Sequence, residues 1–132
     1  MNHKLVSQVP LFSEVPRRHH KTVAAHVDEI DVPAGKVLVR EGRYAGEIFV
    51  ILEGGAQVAK GSSRVANLGP GQFFGELGVF DGPTRSATVV ARSPMRLLVV
   101  GAREAKSLAQ RFPSIDRRVR AAAAVRTEAA AT

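Results

Sequence analysis

Between Gly69 and Ala91 the chain reads GPGQFFGELGVFDGPTRSATVVA, and near its centre Gly75 and Gly78 flank a carboxylate, Glu76. A short helical turn is expected to start there, with Leu77 and Phe80 facing inward. Backbone N–H groups at the start of such a turn lack partners, and flanking glycines let a ligand approach them closely. The result is a concave nest for an anion. Nine residues after Glu76 comes Arg85, the only basic residue between Arg64 and Arg92. Its guanidinium can grip a phosphate with two parallel hydrogen bonds. An ionised carboxylate only accepts hydrogen bonds, so Glu76 repels phosphate and must serve another part of the ligand. A pair of sugar hydroxyls fits that role. Arginine and amides for phosphate, with glutamate for ribose, describe a nucleotide whose phosphate lies very near its sugar.

Other readings of these residues are weaker. Glu76 and Arg85 could form a structural ion pair, but such pairs seldom come with so many adjacent glycines. The run GxGxxxGE from Gly69 has neither the spacing of a dinucleotide fingerprint nor a long helix after it. Metal and nucleophile chemistry find little support. There is no Cys, and His3, His19, His20 and His26 all precede the strand-rich part of the sequence. His19 and His20 are expected on the solvent face of a helix, and Tyr44, in a loop, is given no role.

These residues must be positioned by a small scaffold. The 132 residues leave room for one domain with one core. The formal charge of +7 is unevenly placed: residues 1–45 sum to +2, residues 46–91 to −1 and residues 92–132 to +6. Ten of the 12 glycines lie between Gly42 and Gly82. They separate short runs rich in β-branched and apolar residues: Lys36–Arg40, Glu47–Leu52, Ala56–Lys60, Val65–Leu68, Ser86–Ala91 and Arg96–Val100. Such runs between turn signals indicate an antiparallel sandwich or barrel of about eight strands. Phe73, Phe74 and Phe80 are expected in its core.

Both flanks read as helix. Pro16 suits a first helical position, and His20, Val23, Ala24 and Val27 recur at helical spacing. Ala102–Phe112 is helical until Pro113, after which Ser114 can cap a second, alanine-rich helix. No apolar run approaches the roughly 20 residues of a membrane span, and the N-terminus does not read as a signal peptide. At 100° per residue, Arg117, Arg118, Arg120 and Arg126 encircle the last helix, unlike a membrane-lying one.

At Glu76 and Arg85 the chain resembles the cyclic nucleotide-binding domain family of catabolite-type regulators, kinase regulatory subunits and cyclic-nucleotide-gated channels. The resemblance runs from VPLF at Val9–Phe12 to the last helix and is strongest over Ala45–Gly54 and Leu68–Val89. It implies an α+β, mainly β fold. This is an eight-stranded antiparallel β-roll, or jelly roll, with an N-terminal helix, a short phosphate-binding-cassette helix and two C-terminal helices. One domain would fill residues 1–132, with a helical part at 9–30, the β-roll at 31–101, the cassette at 74–88 and closing helices at 102–131.

By the same resemblance the cassette comprises Gly75, Glu76, Leu77, Gly78, Arg85, Ser86 and Ala87. Glu76 would take the ribose 2′-hydroxyl and Arg85 the exocyclic phosphate oxygens. Amides of Gly78, Ser86 and Ala87 would complete the phosphate shell. Arg120 would lie over the purine, although an exposed arginine on a terminal helix is an equal alternative. Two departures stand out: Gly78 replaces the usual Ala, and Thr84 separates Pro83 from Arg85. Ser86 favours cAMP over cGMP, because a Thr at that position tends to favour cGMP.

The function expected is a cytoplasmic sensor, not an enzyme, whose C-terminal helices shift to cover a bound cyclic nucleotide. It would signal to an effector that the sequence does not name. Gly101–Thr132 is too short for a winged DNA-binding module, so nucleic-acid binding by this chain alone is not expected. The rivals are a ligand-free fold kept as an interaction domain and a cupin-like metal-dependent enzyme, which the missing His pair in the strands disfavours.

Overall fold

The computed structural model describes residues 1–42, 46–75 and 87–131, with side chains of the last helix described through Ala122. Three short 3-10 turns, His3–Gln8, Pro10–Phe12 and Arg17–His19, lead into α1 (His20–Ala25). Eight strands follow among the described residues: β1 (Asp28–Val32), β2 (Val37–Val39), β3 (Glu47–Glu53), β4 (Ala56–Lys60), β5 (Ser63–Leu68), β6 (Phe73–Phe74), β7 (Thr88–Ala91) and β8 (Met95–Gly101). Two helices close the chain, α2 (Ala102–Arg111) and α3 (Pro113–Ala131). The strands form two antiparallel sheets, ordered β1-β8-β3-β6 and β2-β7-β4-β5.

Side chains alternate across a strand, so the central strands of the first sheet feed two cores. From β3 and β8, Phe49, Ile51, Met95 and Leu97 point between the sheets, against Val39, Ala56, Leu68, Val89 and Ala91. Phe74 joins them, its ring stacked on Phe49 with centroids 5.1 Å apart. The alternate residues Ile48, Val50, Leu98 and Val100 face a helical layer that includes Phe12, Val23, Leu108 and Ile115. Burial on both faces explains the unbroken apolar runs IFVIL and LLVV. Each sheet also has an edge that resists adding a strand. β1 exposes Asp28, Glu29 and Asp31, and β5 bulges where Val58 pairs Ala66 and Ala59 pairs Arg64, leaving Val65 out of register.

Several expectations need correction. The strand layer begins at Asp28, and α1 is short. Pro16 stands before a 3-10 turn with an extended ψ of 144°, so it does not open a helix. Val27 is buried in the helical layer yet lies beyond α1, because the chain turns at His26. His19 and His20 do not face solvent freely. The His19 ring tilts against Phe112 with centroids 5.4 Å apart, and His20 Nε2 sits 2.9 Å from the Val15 carbonyl oxygen.

Ser114 is not the cap of the last helix. Pro113 occupies the first helical position, and the carbonyl of Phe112 accepts from the Ile115 amide at 2.9 Å. Phe112, with φ −125° and ψ 96°, is therefore the residue outside the helix. Ser114→Ala should change stability by less than about 0.5 kcal/mol, whereas losing a true serine cap costs about 1 kcal/mol. Urea denaturation checks this, and a loss near the larger figure would restore Ser114 as the cap.

The last helix is held to the rest of the chain at its start. Ile115 and Val119 join Leu11 and Phe12 in the helical-layer core. At the rim Glu14 accepts from Arg117 Nη2 at 3.1 Å and from Arg118 Nε at 3.1 Å. Hydrogen bonds from Arg118, then Arg117, hold the Glu14 carboxyl below its ordinary value. A lowered folded-state pKa adds stability above the unfolded carboxyl's pKa, and that stability is lost as pH falls through the folded value.

Candidate functional site

The candidate cassette bridges the two sheets. Its entry is β6 at the edge of the first sheet, where Phe73 pairs Val50 and Phe74 pairs Phe49. Its exit is β7 inside the second sheet, where Thr88 pairs Ala59 and Val89 pairs Val58. The chain leaves β6 through Gly75 at φ +96°, a conformation that side chains bearing a Cβ rarely adopt. Of the expected cassette residues, Gly75 and Ala87 are described and stand at the two ends of this stretch. Glu76, Leu77, Gly78, Arg85 and Ser86 lie outside the described residues, as do Tyr44, Phe80 and the expected cassette helix.

Both ends are anchored. Before β6, the Gly69–Gln72 turn is closed by the Gln72 amide donating to the Gly69 carbonyl at 3.1 Å. Gln72 Oε1 accepts from the Gly69 amide at 2.8 Å, and Gly71 N–H donates to the Ile51 carbonyl at 2.8 Å. After the cassette, Thr88 Oγ1 accepts from the Glu41 amide at 3.0 Å, and Glu41 Oε1 accepts from the Gly61 amide at 3.0 Å. Glu41 thus ties the cassette exit to the β4–β5 turn. Sequence reading missed Glu41, since nothing local marks a residue whose partner is 47 positions away. Thr88, within the quoted SATV, carried a signal but no assigned part.

Arg120 has an intramolecular partner in this arrangement. Its Nε donates to both Asp116 carboxylate oxygens at 3.0 Å, one helical turn back along α3. The side chain is 73% exposed and borders a groove between α2 and α3 with Lys106, Ala109 and Gln110. Arg126 lies among the residues whose side chains are not described. Among the described residues no group of three or more His, Asp or Glu is placed to hold a metal ion, and no helix is long and apolar enough to cross a membrane.

Two four-stranded antiparallel sheets with a helical layer packed on one outer face define a jelly roll. More narrowly, the chain belongs to the cyclic nucleotide-binding domain family, whose sequence profile matches residues 29–112. A cyclic nucleotide-gated potassium channel of Mesorhizobium japonicum is 34% identical over 131 residues, covering 99% of this chain and 36% of the channel. Against the curated channel relatives it matches, the chain spans about a third of their length, between 30% and 36%.

Among solved structures, Thermus thermophilus catabolite activator protein superposes with a TM-score of 0.80 at 25% identity, covering 92% of this chain and 59% of that one. The regulatory subunit of a cAMP-independent protein kinase A from Trypanosoma brucei gives a TM-score of 0.80 at 21% identity, covering 89% and 44%. That second likeness speaks for the fold alone. The relatives are regulators and channels, and this is a cyclic nucleotide-binding domain of their type.

Proposed function

We propose that residues 1–132 act as one cytoplasmic sensor domain that binds cAMP in preference to cGMP and does not cleave it. In this reading Arg85 and the amides of Gly78, Ser86 and Ala87 hold the cyclic phosphate, and Glu76 takes the ribose 2′-hydroxyl. Gly75 and Leu77 shape the loop, and Arg120 covers the purine when the C-terminal helices shift. The observation that carries the reading is one stretch holding Glu76 and Arg85 at family spacing. That stretch is tethered at both ends, by the pairing of Phe74 with Phe49 and by the Thr88–Glu41 hydrogen bond. With phosphate held by a guanidinium and amides, the ester is recognised and left intact. Ligand must favour the helix-closed state over the open one, and that difference is the whole signal passed to an effector outside this chain.

Titration calorimetry of the chain with cAMP, cGMP, 5′-AMP and 2′-deoxy-cAMP tests this. cAMP should bind about 3- to 10-fold more tightly than cGMP, the worth of one neutral hydrogen bond. Removing the 2′-hydroxyl should cost about 10-fold or more if Glu76 reads it. Equal affinity for the deoxy analogue would reassign Glu76 to structure.

A second reading keeps the fold as an interaction domain without cyclic nucleotide. Absence of heat at millimolar ligand with folded protein would select it.

A further inference from the structure

The seam between α3 and the N-terminal turns has an apolar part and a charged part. Leu11, Phe12, Leu108, Ile115 and Val119 help line a void of about 10 Å³. A void of that size barely admits one water, and its lining atoms lack contacts on one side. Sliding the helix within this seam therefore gives up less packing than leaving a filled one. The charged part is at the rim, where Glu14 accepts from Arg117 Nη2 at 3.1 and 3.3 Å and from Arg118 Nε at 3.1 Å. These partners are separated by 103 and 104 positions, so the contact joins the two ends of the fold.

Phe112, extended between α2 and α3, is the one non-helical residue that joins them. Element-terminal residues of this kind absorb the φ/ψ change in hinge motions. Arg117 and Arg118 lie five and six residues beyond Phe112, so a swing of α3 large enough to carry its far end must also stretch or part their bonds to Glu14. Asp116, the one carboxylate among the α3 residues whose side chains are described, is engaged by Arg120.

We propose that Glu14 is a positioning residue for the ligand response: it straps α3 to the N-terminal turns and holds the helix in its resting seat, off the nucleotide. The proposal rests on the reading of the chain as a cyclic nucleotide sensor. The resting assignment follows from Arg120, whose side chain is 73% exposed and paired with Asp116 beside the groove between α2 and α3 in this arrangement. A strap that favours the resting seat opposes ligand binding, so cutting it favours binding by the same factor.

Hydrogen exchange over residues 113–131 of the ligand-free chain, compared between wild type and Glu14→Gln, tests the strap without any ligand. Exchange should quicken in the variant, and the two proteins should converge at 1 M salt, where exposed ion pairs are screened. In calorimetry Glu14→Gln should bind cAMP about 2- to 5-fold more tightly, the range of an exposed charge network. The double variant Arg117→Gln, Arg118→Gln should show the same gain, and adding Glu14→Gln to it should contribute nothing further. Because the Glu14 side chain is exposed, thermal melts of all variants should confirm a folded protein.

Unchanged exchange in Glu14→Gln overturns the strap. Faster exchange with equal or weaker cAMP affinity overturns its assignment to the resting seat. No heat from any of the proteins overturns the nucleotide reading and the link to ligand, while the exchange comparison still decides whether Glu14 holds the helix.

Discussion

Arg85→Ala should weaken cAMP binding on the order of 30- to 3,000-fold, and the melting temperature of the ligand-free protein should move by no more than about 2 °C. The size follows from what the substitution leaves behind. In the proposed site the phosphate would keep its amide contacts but lose its charged, bidentate partner, leaving an unpaired charge. Bulk charge cannot compensate. The net +7 of the chain is mostly the +6 of residues 92–132, whereas residues 46–91, which contain the cassette, sum to −1. Distant lysines and arginines steer an anion toward the protein but are screened at contact range in physiological salt.

The same variant separates recognition from structure. If Arg85 were instead half of a structural ion pair with Glu76, its loss would strand a carboxylate and lower the melting temperature with no ligand present. Calorimetry and a ligand-free melt on one sample distinguish the cases. Equal affinity for wild type and Arg85→Ala would end the cassette assignment. A large fall in melting temperature would move Arg85 to the scaffold.

Which parts of the molecule the sequence reveals depends on how local their causes are. β3 and β8 were legible because strands buried on both faces print unbroken apolar runs, and Ala56–Lys60 was legible as a whole. β1 was not, since its DEIDV is exposed over four of five positions and becomes a strand by pairing Val32 with Met95 and Asp28 with Val99 far along the chain. β6 is two residues long, too short for any periodicity. The helical spacing of Val23, Ala24 and Val27 was real as a burial pattern but misleading as a helix length, because a turn at His26 delivers Val27 to the same core.

The candidate site divides in the same way. The chemistry proposed for Glu76 and Arg85 is read from type and spacing alone, within one short stretch that lies outside the described residues. The Glu41–Thr88 and Glu41–Gly61 hydrogen bonds were not legible, because each joins a residue to a different turn. His19 and His20 show the converse error. A pair of polar rings in a polar run reads as solvent-facing until Phe112 and the Val15 carbonyl are found beside them.

The scaffold's sharpest demand falls on Gly54, and comparison with Gly61 isolates it. Both glycines have positive φ, +91° and +61°. At Gly61 an added Cβ would meet nothing within 4 Å, so Gly61→Ala should cost only the backbone term, about 1 kcal/mol. At Gly54 the Cβ would overlap the Pro94 carbonyl oxygen and approach Met95 Cγ to 2.8 Å. The backbone cannot retreat, because the next residue is tied down on both sides. The Gly55 amide donates to Ser93 Oγ at 3.0 Å, and its carbonyl accepts from the Arg92 amide at 2.9 Å.

Relief must therefore come from the start of β8, where Met95 is 3% exposed between the sheets and Leu97 pairs with Ile51. Overpacking there adds about 1–3 kcal/mol, so Gly54→Ala should lose about 3 kcal/mol in total and roughly 10 °C in melting temperature. Urea and thermal denaturation of the two variants side by side measure the difference. Equal losses would mean that the turn yields at Pro94 more readily than its hydrogen bonds imply. A much larger loss at Gly54 would place the β3–β8 pairing, which carries both cores, under the control of this one turn.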